Sequence, residues 1–217
     1  MGAGQRSDGN RSFILLMLGA LALLRLAAMA LVPLLDTTEA RYAEIARKMV
    51  ELRGWVTPWH DYAVPFWGKP PLSFWLTGGS LKAFGVNEFA ARLPHFLVLA
   101  LIAALVWQLA RRRSGKEATV ALALLASSAL FYASAGAVMT DGPLVLGSTM
   151  SLYGFWLAMA GPAPERPSRS GWWFFAGIAV GLLAKGPLFV APQEGVSVAP
   201  GPGLAAPPAN PTPAVAP

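Results

Sequence analysis

Five apolar runs alternate with polar connections along the chain, at residues 13–35, 93–110, 118–139, 143–160 and 172–190. A membrane-crossing helix needs about 20 apolar residues at about 1.5 Å rise each, and the five runs meet or approach that length. In lipid such runs must be helical, because no water satisfies their backbone groups. The predicted fold class is all-α: a polytopic transmembrane helix bundle of about five spans. The first run also has features of a cleaved signal peptide, with Arg6 and Arg11 ahead of it and Ala28-Met29-Ala30 near its end. Its 23 residues exceed a usual signal core and favour an uncleaved anchor.

The longest polar connection, residues 36–92, has its own pattern. Residues 36–53 read as an amphipathic helix, with Tyr42, Ile45, Met49 and Leu52 on one stripe. Glu44 and Lys48 stand at the favourable i, i+4 spacing, and Gly54 is a plausible stop. Such a helix can lie in the membrane interface. Asp36 and Glu39 at its start match a capping box, which competes with a chemical role for either. Seven Trp and Phe residues between positions 55 and 85 suit the headgroup layer. Pro70 and Pro71 fix the chain direction and would hold Lys69 ahead of a short helix at residues 72–84. Gly78-Gly79 and Gly161-Pro162 read as turns or helix ends.

Composition places the chain in the membrane class: 55% of residues are hydrophobic and 13% charged, against about 25% charged in an average soluble domain. The absence of cysteine excludes disulfides, thiolate nucleophiles and cysteine metal sites. The net charge of +6 does not point to nucleic acid, because the basic residues cluster between apolar runs as topology signals do. Arg6, Arg11, Arg111, Arg112, Arg113, Lys116, Arg166 and Arg169 mark the cytoplasmic side. The long loop and the Thr140-Asp141 turn then lie outside. That topology brings Asp36, Glu39, Lys69, Asp141 and Lys185 to one outer face, where random placement would scatter them. Singly, Asp141 reads as a helix cap and Lys185 as a snorkelling side chain. Arg25, inside the first run, reads either as a lipid-phosphate or ion site, or as a side chain that snorkels or packs beside another helix. His60 and His95 have no ligand-like spacing, and His95 reads as a packed or hydrogen-bonded residue.

Five motifs occur in order: EARYAEIARKM at residues 39–49, GKPPLSFWLT at 68–77, FGVNEFAARLP at 84–94, Thr140-Asp141, and AKGP at 184–187. Together they resemble the ArnT/PMT-type glycosyltransferases, membrane enzymes of the GT-C fold, over about residues 12–190. The resemblance implies transfer of a sugar from a polyprenyl-phosphate carrier to a lipid, glycan or protein acceptor at the outer face of a bacterial inner membrane. A carboxylate would deprotonate the acceptor hydroxyl, and cations would stabilise the departing phosphate. By motif, the first-loop acid is the candidate base, Asp141 a second acid and Lys69 the phosphate partner, with Arg41, Tyr42 and Lys185 in support. The related aminoarabinose transferases carry Asp-Glu where this chain has Thr38-Glu39, so the base is Glu39 or the displaced Asp36, with Glu39 slightly favoured. They also commonly carry Glu where this chain has Gly68, which weakens a metal contact there. No cofactor is implied with certainty, and a divalent cation is left open. The partners implied are membrane lipid, the lipid-linked donor and the acceptor, with no nucleic acid.

The expected domain layout is a cytoplasmic N-terminus at residues 1–12, a GT-C-like transmembrane region at 13–190 and a tail at 191–217. The tail has eight prolines in 27 residues and no apolar period, so it is expected to be disordered. Family members are much longer, which raises the alternative of a truncated, inactive fragment. A transporter subunit is the third alternative, but its charges would line a mid-membrane pathway, and here most lie in loops.

Overall fold

A computed structural model describes residues 2–62, 64–159 and 167–186. The helices run in chain order as α1 (Gly2–Leu31), α2 (Thr37–Glu51), α3 (Leu72–Phe84), α4 (Glu88–Ala110), α5 (Gly115–Ser127), α6 (Ala129–Ser134), α7 (Asp141–Met159) and α8 (Pro167–Lys185). Two helical stretches, Gly9–Leu31 and Glu88–Ala110, are long and apolar enough to cross a membrane, and Ser170–Lys185 is a shorter apolar helix. The side chains of α1 largely face outward: only 6% of its most apolar window is buried. The expected tail and Gly161-Pro162 lie outside the described residues.

The outer-loop helix forms as α2. Its N-cap is Asp36, whose Oδ1 accepts from the Thr38 and Glu39 backbone N–H groups at 2.8 and 3.0 Å. Its apolar stripe is not turned toward lipid. Tyr42, Ile45 and Met49 pack instead with Phe74, Leu81, Ala90, Ala91 and Val138, because α3 and the start of α4 fold back over that face. Leu52 remains exposed. The helix stops through Arg53 rather than Gly54: Arg53 takes φ of +53° and Gly54 N–H bonds the Met49 carbonyl at 3.1 Å. A left-handed non-glycine residue costs about 1–2 kcal/mol. Arg53→Gly is therefore expected to raise stability by about 1 kcal/mol, measurable as a higher melting temperature.

A small hairpin, β1 (Trp59–Asp61) paired antiparallel with β2 (Val64–Pro65), was not anticipated by the all-α prediction. It is held by a side chain from α2. Lys48, 7% exposed, donates to the His60 carbonyl at 2.9 Å and the Asp61 carboxylate at 3.3 Å. Glu44 pairs chiefly with Arg47 at 2.7 Å, and the anticipated Lys48 partner stands 3.8 Å away. The Arg47 hydrogen bond holds the Glu44 carboxyl below its ordinary value of 4.5, against the opposing effect of burial. The Tyr62 backbone N–H, then Lys48, hold Asp61 below 3.8. Lowered folded-state values mean that these contacts contribute fully above the unfolded pKa and are lost as pH falls through the folded one. The protection factors of the hairpin amides, with intrinsic exchange divided out, should fall below pH 3.8 and stay constant near neutrality.

The third apolar run is not one helix. It breaks at Ser128, whose backbone is extended and whose Oγ caps α6 by accepting from Phe131 N–H at 3.4 Å. Ser127 Oγ bonds the Leu124 carbonyl at 2.9 Å. Adjacent serines thus supply local partners that compete with the helical ladder. Arg25 closes the other end of α6: its Nη2 donates to the Ala133 carbonyl at 2.8 Å and its Nε to Ala135. This is the helix-packing role weighed for Arg25.

The chain ends its described part in a tight α7–α8 hairpin. A Cβ on Gly147 would fall 2.6 Å from Gly181 N, and one on Gly154 would fall 2.5 Å from Phe174 N. Small residues let two backbones touch, as they do in membrane helix pairs. Gly78 lies inside α3, not in a turn, and a Cβ there would make ordinary contact 3.5 Å from the Ala46 carbonyl of α2.

Candidate functional site

The five motifs meet at one end of the bundle, on the stretch of residues 138–141 that leads into α7. Glu39 holds its start. The Val138 backbone N–H donates to Glu39 Oε1 at 3.2 Å. Ser73, in the first turn of α3, holds its middle through Oγ and the Met139 carbonyl at 3.2 Å. Lys185, the last residue of α8, holds its end through an ion pair to Asp141 Oδ1 at 2.6 Å. Asp141 sits in the first turn of α7 and Lys185 in the last turn of α8, so each charge also opposes the partial charge of its own helix end.

Glu39 is more deeply committed than a free base would be. Arg92, in the first turns of α4, grips it with Nε to Oε1 at 3.0 Å and Nη2 to Oε2 at 2.8 Å. The two residues are 7% and 6% exposed. With the Val138 bond, three of the carboxylate's roughly four acceptor positions are taken. Arg92 also donates to the carbonyls of Met29, Val32 and Pro33, where α1 has ended and its last carbonyls lack helical partners. The pair therefore ties α1, α2, α4 and the 138–141 stretch together. Sequence reasoning quoted Arg92 within a motif but gave it no role. The signal was available: an arginine at the start of an apolar run is costly unless paired.

Of the proposed capping box only the Asp36 half forms. Glu39 turns to Arg92 instead of reaching back to the helix start. Asp36 is exposed and lines, with Glu39, Arg92, Arg25 and Met139, a cavity of about 290 Å³.

Lys69 stands nearby. The Pro70 ring lies 3.5 Å from where a Cβ on Gly186 would project, so the Gly-Lys-Pro-Pro turn abuts the Lys185 end of α8. Gly186 has φ of +71°, a conformation that favours glycine. Lys69 is half-buried and has no hydrogen bond or ion pair among the described residues. Asp141 is 58% exposed and Lys185 18%. Arg41 is exposed, its guanidinium 5.4 Å from the Tyr42 ring centroid. Tyr42 is buried edge-on against Phe74, with ring centroids 5.5 Å apart. The structure thus pairs Asp141 with Lys185, sets the turn that carries Lys69 beside the end of α8, and places Asp36 and Glu39 on a cavity that Met139 also lines. His60 stacks on Phe66, and buried His95 bonds Thr77 Oγ1 at 2.9 Å. Among the described residues no cluster of three His, Asp or Glu side chains could hold a metal.

Comparison with known proteins gives this geometry a family. The chain matches the family model for dolichyl-phosphate-mannose-protein mannosyltransferase over residues 13–194. It is 32% identical over 157 residues to the undecaprenyl phosphate-alpha-4-amino-4-deoxy-L-arabinose arabinosyl transferase of Edwardsiella ictaluri, covering 70% of this chain and 28% of that protein. The Pseudomonas aeruginosa protein of the same name is 30% identical over 152 residues, covering 68% and 27%. The crystal structure of ArnT from Cupriavidus metallidurans in the apo state superposes with a TM-score of 0.72 at 28% identity, covering 82% of this chain and 33% of that one. Its form bound to undecaprenyl phosphate gives 0.70 at 29% identity, covering 81% and 33%. The chain spans about a third or less of the length of these relatives. On the full set of motifs, the converging site and these matches, the chain belongs to the ArnT/PMT-type family of GT-C membrane glycosyltransferases.

Proposed function

We propose that this chain carries a donor-phosphate site and acidic groups for sugar transfer from a polyprenyl-phosphate carrier at the outer face of a bacterial inner membrane. The observation that carries this is the convergence on residues 138–141, where Glu39, Ser73 and Lys185 hold successive points of one turn. Lys69 and Lys185 would receive the carrier phosphate as the bond from the anomeric carbon to its phosphate oxygen breaks and the electron pair leaves with that oxygen. An exposed carboxylate, Asp36 or Asp141, would take the acceptor hydroxyl proton as that oxygen attacks the anomeric carbon. Glu39, already gripped by Arg92, serves better as a positioning residue than as the base. Arg41 and Tyr42 flank the site on α2. About five spans, with the long loop outside, fit this arrangement. The acceptor is a lipid, glycan or protein hydroxyl.

The test is transfer of labelled sugar from a polyprenyl-phosphate donor by the purified chain. Asp141→Asn and Asp36→Asn should each lower the rate, one of them by about 100-fold or more as the general base. Transfer that survives both changes at full rate sinks the assignment. Donor binding without transfer by the chain alone would identify it as the donor-holding part of a larger catalytic unit.

A further inference from the structure

Residues 138 and 139 are held by two supports, and both trace back to the first turns of α4. The first runs from Arg92 through Glu39 to the Val138 N–H. The second starts three residues later on the same face of α4. There His95 Nε2 and Thr77 Oγ1 of α3 share a 2.9 Å hydrogen bond. Four residues before Thr77, on the same face of α3, Ser73 Oγ donates to the Met139 carbonyl at 3.2 Å. His95, Thr77 and Ser73 are all almost fully buried. Thr77 closes the GKPPLSFWLT motif, near whose start stands Lys69.

The bond is a poor device for stability alone. Phe74 and Leu81 of α3 already pack with Ala90 and Ala91 of α4. His95 Nδ1 is buried with no partner among the described residues, a state that costs free energy and that an aliphatic side chain would avoid. Thr77 does not need the imidazole either, because a helical threonine can return its hydroxyl to the carbonyl four residues back. What apolar contact does not supply is direction. It tolerates small rotations of one helix on another, whereas a hydrogen bond is confined to a narrow range of distance and angle. We propose that His95 is a positioning residue for donor binding. Through Thr77 it fixes the rotation and axial register of α3, and so the place of Ser73 against residues 138–141 and of Lys69 ahead of the helix. This rests on the reading of Lys69 and Lys185 as the donor-phosphate site.

The test measures polyprenyl phosphate affinity and melting temperature together on the purified full chain. His95→Leu and Thr77→Val should each weaken binding by about fivefold, with the melting temperature at or above that of wild type. His95→Gln, whose amide reaches the position of Nε2, should bind nearly as wild type does. If His95→Leu fails to fold, Thr77→Val against Thr77→Ser carries the same test. An affinity loss that only follows a lowered melting temperature overturns the proposal, as does a loss that glutamine does not repair. Lys69→Ala/Lys185→Ala in the same assay separates this role from the reading beneath it. If that change weakens binding while His95→Leu and Thr77→Val bind as wild type, the role of His95 alone falls. If it leaves binding unchanged, the donor site falls and the positioning role falls with it.

Discussion

Replacing Arg92 with methionine should cost about 3–5 kcal/mol, the usual penalty for stranding one member of a buried ion pair. The change leaves the Glu39 carboxylate buried with the Val138 N–H as its remaining partner. It also orphans the Met29, Val32 and Pro33 carbonyls. The melting temperature in detergent should fall sharply, and donor binding should fall with it, because Glu39, which anchors residues 138–141 to α2, loses the arginine that holds it in place. The double variant Arg92→Met/Glu39→Leu should recover part of the loss, since replacing both charges removes the stranded one. An Arg92→Met chain that melts within a degree of wild type would show that the pair does not hold the site.

Gly177→Leu should be nearly as damaging, for a different reason. Its Cβ would stand 2.4 Å from Ser151 Oγ, 2.5 Å from Ser151 N and 2.6 Å from the Gly147 carbonyl. Two of those three are backbone atoms, so the neighbour cannot rotate away and the α7–α8 hairpin must separate. Overpacking of this kind costs about 3 kcal/mol at the upper end of its usual range. The functional consequence follows from the helix ends. Asp141 begins α7 and Lys185 ends α8, so parting the helices breaks the 2.6 Å ion pair that fixes the phosphate end of the site. Gly171→Ala is the control: nothing lies within 4 Å of its Cβ position, and exchanging glycine for alanine in a helix gains about 0.8–1.0 kcal/mol. Equal melting temperatures for Gly177→Leu and Gly171→Ala would contradict the packing described.

Much of the outer loop was legible because its signals are local. The double proline delimits the helix that begins at Leu72, and Asp36 reads as a cap because capping is decided within four residues. The third run misled because hydropathy carries no term for the Ser127-Ser128 pair, whose hydroxyls bond the backbone of their own segment. The direction of the α2 stripe was also beyond the sequence: lipid and the α3 surface reward the same apolar residues. Glu39 shows the same limit at the site. Its motif marks it as important, but only the fold shows that Arg92, 53 positions away, takes both its oxygens.

Equilibrium binding of a polyprenyl phosphate to the full chain tests the proposed donor site most directly. Wild type should saturate, and Lys69→Ala/Lys185→Ala should weaken the affinity by about tenfold or more, the loss expected for hydrogen bonds to a charged group. Lys82→Ala, which removes a cation stacked on Trp55 away from the 138–141 stretch, should leave it unchanged. Affinity untouched by the double lysine change would contradict the assignment of the converging motifs to the carrier phosphate.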